Sequence, residues 1–124
     1  ETIPLFEYVI KKLNDYNLAY VHLSEPFTDV SKVQYAVQNI AAHFRPLYNG
    51  TLIVNNNFNQ ETGNKVIEAG LADLVAYGKL FISNPDLAER FEKNAPLANW
   101  DVDTFYSDTG EKGYTDYPIY AKEL

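Results

Sequence analysis

"AYGKLFISNPDL", residues 76–87, decides how the rest of the chain is read. A short apolar run, "ADLVAY" (72–77), breaks at Gly78 beside a single cation, Lys79. "KLFIS" (79–83) is then the right length for one extra helical turn. Asn84 follows as an expected N-cap, Pro85 as the first helical position and Asp86 as a first-turn acid, opening a helix with Leu87 and Phe91 inward. Strand, short extra helix and capped helix in succession are what the last strands of a (β/α)8 barrel offer, where the extra helix often helps to hold a phosphate.

Upstream, Leu5, Phe6, Val9, Ile10 and Leu13 recur at helical spacing behind Pro4, and Asn14-Asp15-Tyr16-Asn17 ends that helix. "LAYVHL" (18–23) and "TLIVN" (51–55) are apolar runs with almost no polar alternation, as expected of strands covered on both faces. Between them Val33, Ala36, Val37, Ile40, Ala41 and Phe44 predict an amphipathic helix that stops at Pro46 and Asn49-Gly50. A further helix carries Val66 and Ile67 and stops at Gly70. From Ala95 onward aromatics, Asp, Gly and Pro predominate, so an ordered, aromatic-rich tail (95–124) follows the βα units (1–94).

Strands alternating with helices imply parallel pairing and right-handed crossovers. Three such strands leave two apolar edges without partners. Neither GxGxxG nor GxxxxGK[ST] supports a complete doubly wound domain. The expected fold is α/β: the C-terminal part, about three βα units plus a tail, of a (β/α)8 TIM barrel.

Composition narrows the function classes. The chain has 124 residues, 46% of them hydrophobic, which suits one ordered domain rather than a disordered segment. A formal charge of −7 disfavours a nucleic-acid or anionic-membrane surface. Without cysteine there is no thiolate catalysis, disulfide or cysteine-ligated metal. No apolar stretch approaches the roughly 18 residues that cross a bilayer, and no basic-then-apolar leader opens the chain, so a soluble, cytoplasmic protein is expected. The chain starts at Glu1 rather than Met, as a processed product or a piece of a longer protein would.

The candidate chemistry lies at the C-terminal ends of the strands. At Gly78 the lack of a side chain lets backbone approach an anion, and Lys79 adds a point charge. "VNNNFN" (54–59) puts Asn55, Asn56 and Asn57 at the mouth of the preceding strand, and asparagine tolerates the left-handed conformations that turn amides toward a ligand. Spacing alone leaves the bland alternative open: Gly-Lys after a strand is common, and Asn-rich turns are usually only turns.

"YGKLFISNPDLAERFEKNAPL" (77–97), "DTFY" (103–106) and "GYTDYP" (113–118) together resemble the C-terminal portion of the old yellow enzyme family. These are FMN-dependent ene-reductases that include the 12-oxophytodienoate and xenobiotic reductases. "LAYVHLSEP" (18–26) resembles the family's sixth barrel strand and "LIVNNNF" (52–58) its seventh, so the likeness covers essentially the whole chain. The resemblance implies FMN-phosphate binding by Asn56 and Asn57, before Phe58, and by Gly78 and Lys79, where the family usually has Gly-Arg. A lysine there keeps the charge and loses the bidentate fork. It also implies that Phe105 and Tyr106 line the substrate cavity. The family's catalytic residues lie on the first five strands, so none is expected in this segment, which by itself is expected to be inactive. The partners implied are the missing N-terminal strands, on the same parent protein or another chain, NADPH or NADH, and a small enone.

Other candidates are weaker. His22 is expected as a satisfied core residue of its strand, with the barrel mouth as the alternative. His43, near a helix end, is expected in a capping role. No two histidines have metal-ligand spacing, so no metal is expected. Asp101, Asp103, Asp108 and Asp116 are expected to anchor the tail through Asx turns. "GYTDYP" is expected to pack its two tyrosines structurally, with a substrate loop as the alternative. Two further readings stand beside the ene-reductase: a non-catalytic barrel fragment that assembles through its edges, and a complete small phosphate-binding domain.

Overall fold

The computed structural model describes residues 2–106, 108 and 110–120. The chain divides into two compact units, Glu1–Ala76 and Tyr77–Leu124.

The first unit runs α1 (Thr2–Leu13), β1 (Val21–Ser24), α2 (Ile40–Phe44), β2 (Leu52–Asn55), α3 (Gln60–Glu68) and β3 (Leu74–Ala76). The three strands form one parallel sheet in the order β1-β2-β3. Its register pairs Val21 with Leu52, Leu23 with Val54, and Val54 with Val75. These residues share one face and pack on the helices. Val21 and Leu52 lie with Ile10 of α1 and Phe44 of α2, while Val54 lies with Ala41 of α2, Ala72 and Val66 of α3.

The alternate residues are also in register: His22, Ile53 and Leu74 form one row, and Ser24, Asn55 and Ala76 the next, at the C-terminal ends of the strands. Among the described residues no helix of this unit covers that face, and Leu74 is 52% exposed there. The expectation of strands covered on both faces is therefore corrected for this unit, whose own described helices cover one. Helices on a single face are the arrangement of a barrel wall, whose other face is the interior; a doubly wound sheet carries them on both. His22 is exposed on this bare face rather than satisfied in a core.

The helix expected from Val33 onward begins only at Ile40. Ser31 N–H donates to Asp29 Oδ1 (2.8 Å), Gln38 Nε2 donates to Val30 O (3.1 Å), and Tyr35 has φ +64°. The start is then set by acceptors for the first-turn amides. Asn39 Oδ1 accepts from Ala42 N–H (2.8 Å), and the Glu25 carboxylate accepts from Ile40 and Ala41 N–H (2.8 and 2.9 Å). His43 lies in the last turn of α2, as expected, and its Nε2 also meets Glu7 Oε1 of α1 at 2.9 Å, which joins the two helices. Helix α3 opens on a reciprocal capping box between Asn59 and Thr62 and closes at Gly70, the stop read from the sequence, which the structure shows to be left-handed at φ +69°.

In the second unit, α4 (Leu80–Ser83) is the extra turn and α5 (Leu87–Glu92) the helix after it. Asn84 is not the N-cap of α5. It is the fully buried residue that ends α4, and Asp86 takes the N-cap position without a side-chain cap bond. Among its described residues the tail carries a 3-10 turn, Val102–Thr104.

Candidate functional site

Asn55 and Ala76 are register partners at the last positions of β2 and β3, so the two candidate loops leave neighbouring parallel strands at the same, C-terminal end. Asn56 and Asn57 follow the first and belong to the first unit; Gly78 and Lys79 belong to the second.

In the first loop the expected left-handed asparagines are absent: neither Asn56 nor Asn57 has a positive φ. The chain instead turns through local bonds. Asn57 N–H donates to Asn56 Oδ1 (2.9 Å) and Phe58 N–H donates to Asn56 O. Asn56 is half-buried and Asn57 exposed.

In the second loop the unusual residue is Lys79 itself, at φ +67° and ψ −53°. A lysine in this sparsely populated region is strained by about 1–3 kcal/mol. Among the described residues none accepts a hydrogen bond from the N–H groups of Gly78, Lys79 or Leu80. Three successive amides with no acceptor among the described residues, beside an exposed lysine, fit the needs of a phosphate: several donors and one positive charge. The Lys79 Nζ lies 5.9 Å from the centroid of the Trp100 ring, at the edge of cation–π range.

Trp100 is brought there by bonds that sequence reading did not anticipate. Asn84 Oδ1 accepts from Ala98 N–H (2.7 Å), while Asn84 Nδ2 and Ser83 Oγ donate to Ala98 O (3.2 and 2.9 Å). Further along, the buried Arg90 donates to Asp86 Oδ1 (2.7 Å), Pro96 O (2.8 Å) and Pro118 O (2.8 Å), and Asp86 Oδ2 accepts from Tyr120 N–H (2.7 Å). Burial pushes the Asp86 carboxyl up, but the bonds from Arg90 and the Tyr120 amide outweigh it and hold the pKa below the ordinary value. A buried polar belt thus ties the tail to α4 and α5. Buried Arg is rare unless paired, so Arg90 with Asp86 at i−4 was the only signal the sequence offered.

Phe105 and Tyr106 follow the 3-10 turn; Phe105 is half-buried and Tyr106 is fully exposed. Asp101 makes the expected Asx-type bond, its Oδ1 accepting from Asp103 N–H (3.1 Å), whereas Asp116 Oδ1 reaches backward to accept from Gly113 N–H (2.7 Å) and forms no Asx turn by that bond. Of the two tyrosines in "GYTDYP", Tyr117 is half-buried with its hydroxyl accepting from Asp101 N–H (2.9 Å), whereas Tyr114 is 85% exposed and does not pack as expected. Gly113 has φ +73° and lies against Thr104 so closely that a Cβ would collide with it.

Residues 2–98 match the NADH:flavin oxidoreductase / NADH oxidase family. The old yellow enzyme of Trypanosoma cruzi superposes with a TM-score of 0.81 at 35% identity, covering 95% of this chain and 30% of that one. Morphinone reductase in complex with tetrahydroNAD superposes with a TM-score of 0.81 at 33% identity, covering 96% of this chain and 31% of that one. The 12-oxophytodienoate reductase 1 of Oryza sativa subsp. japonica is 41% identical over 120 residues, which are 96% of this chain and 32% of that protein. The fold is thus part of a (β/α)8 barrel of the old yellow enzyme type. The chain belongs to the NADH:flavin oxidoreductase / NADH oxidase family, whose flavin is FMN, and it spans about a third of the length of this rice relative.

Proposed function

We propose that this chain is the FMN-phosphate end of an NAD(P)H-dependent ene-reductase that acts on the C=C bond of α,β-unsaturated carbonyl or nitro compounds. The observation that carries the reading is the run of three amides with no acceptor among the described residues, Gly78 to Leu80, beside the Lys79 cation. When bound, FMN supplies hydride-transfer chemistry between a reduced nicotinamide and the activated alkene. The chain's own residues bind and orient. Gly78 and Lys79 offer donors and charge to the phosphate, Asn56 and Asn57 add further polar contacts to it, and Phe105 and Tyr106 contribute cavity wall. The groups that position substrate and deliver the proton come from strands outside this segment, so the segment alone is inactive. A cytoplasmic location suits a nicotinamide-dependent reaction.

The test is an FMN titration of Lys79→Ala in the full-length protein. Loss of a charge-assisted contact predicts about 10-fold weaker binding or more; unchanged affinity would sink the phosphate role. The bare sheet face and the single-partner edges of β1 and β3 favour a second reading, a non-catalytic fragment completed by another chain. Adding the missing strands in trans separates the two: a yellow, NADPH-consuming complex supports the enzyme, and a colourless assembly supports the fragment.

A further inference from the structure

Lys79 carries a mobile four-carbon stem, yet a phosphate contact is strongest when its cation is already in place. We propose that Trp100 is a positioning residue for the phosphate site: its ring face holds the Lys79 ammonium beside the open amides of Gly78, Lys79 and Leu80. The inference rests on the phosphate reading above and adds to it a residue far along the chain.

Four observations support it. The Lys79 Nζ stands 5.9 Å from the Trp100 centroid. The backbone that carries Trp100 is fixed two residues earlier, where Ala98 is held on both its N–H and C=O by the buried Asn84 and Ser83. Those anchors end the same short helix that Lys79 begins, so Lys79 and Trp100 are tied through a few bonds of one unit. Among the described residues no carboxylate forms an ion pair with Lys79, so the ring does not compete with a stronger partner. An ammonium resting on a ring by one side keeps its other N–H donors for an anion.

A ring that only holds the cation affects ligands that carry the phosphate and no others. The test is therefore the ratio of FMN to riboflavin affinity in the full-length protein, titrated for wild type, Trp100→Leu, Trp100→Phe, Lys79→Met and the double variant Lys79→Met/Trp100→Leu. Trp100→Leu is expected to weaken FMN by about 2- to 5-fold and to leave riboflavin unchanged, with Trp100→Phe restoring most of the loss. In the Lys79→Met background, Trp100→Leu should add nothing. If Lys79→Met lowers the ratio and Trp100→Leu does not, the phosphate reading stands and the role of Trp100 is overturned. If Lys79→Met leaves the ratio unchanged, the phosphate reading itself fails. Equal weakening of FMN and riboflavin by Trp100→Leu would mark a purely structural residue and also overturn the proposal.

Discussion

Asn84 and Ala98 exchange two hydrogen bonds, Ala98 N–H to Asn84 Oδ1 at 2.7 Å and Asn84 Nδ2 to Ala98 O at 3.2 Å. A buried side chain thereby does for the tail what a neighbouring strand does in a sheet: it satisfies the N–H and C=O of one residue at once. An N-cap in this position would tolerate Asp or Ser. The clamp does not, because Asp lacks the donors aimed at Leu80 O and Ala98 O. Asn84→Asp and Asn84→Ala are both expected to destabilise the full-length protein, by about 1–3 kcal/mol. Denaturant midpoints at neutral pH check this, and a neutral Asn84→Asp would restore the N-cap reading.

Lys79→Gly is expected to separate stability from binding. Glycine adopts φ +67° without a Cβ penalty, so the substitution should raise stability by roughly 1 kcal/mol. The same substitution removes the cation and should weaken FMN. Apoprotein melting and FMN titration on one sample read the two effects, which must move in opposite directions.

Asp73 and Asp86 contribute to the acid limb of stability, beside Asp29, which the Ser31 hydrogen bonds also hold low. The Asp73 carboxyl is held below its ordinary value first by the Leu52 N–H, against the opposing effect of burial, with Arg45 helping; Asp86 is held low as described above. For a depressed carboxyl the stabilisation is present above the unfolded pKa and disappears as pH falls through the folded one. Stability should therefore be flat near neutrality and decline below about pH 4. Asp86→Asn should lower the neutral plateau and flatten the acid decline, as followed by melting temperature against pH.

Glu25 is expected to govern where α2 begins. Its two carboxylate oxygens each hold one first-turn amide, Ile40 and Ala41. Glu25→Ala should cost about 1 kcal/mol, with faster amide exchange at Ile40 and Ala41. Unaltered protection at those two amides would show that Asn39 alone suffices.

Much of the first unit is legible residue by residue. Apolar runs of the right length mark β1 to β3 within a few positions, Pro4 falls in the first turn of α1, Gly70 stops α3, and alternation of types dictates a parallel sheet. These are local signals, carried by periodicity and by backbone preference. Lys79 is also legible, as a lone cation after a strand. Other features follow no local rule. Val33 to Val37 have helical spacing, yet side chains of Asp29 and Gln38 take up the backbone groups of Ser31 and Val30 just before them, and the carboxylate that starts α2 comes from Glu25, immediately after β1. Trp100 cannot be joined to Lys79 by any spacing rule.

The amino-acid sequence by itself determined the class of this protein: parallel βα units, a family membership carried by several ordered motifs, and a glycine-lysine step at the end of a strand. Tertiary structure decided which face of the sheet stays bare, that Asn84 clamps a tail instead of capping a helix, and that Lys79 is strained and rests by Trp100. The physical reason is one of range. Periodicity and turn chemistry act over a few residues and survive in a linear reading, whereas a buried hydrogen bond or a cation on a ring depends on partners that only the packed chain brings within 3 to 6 Å.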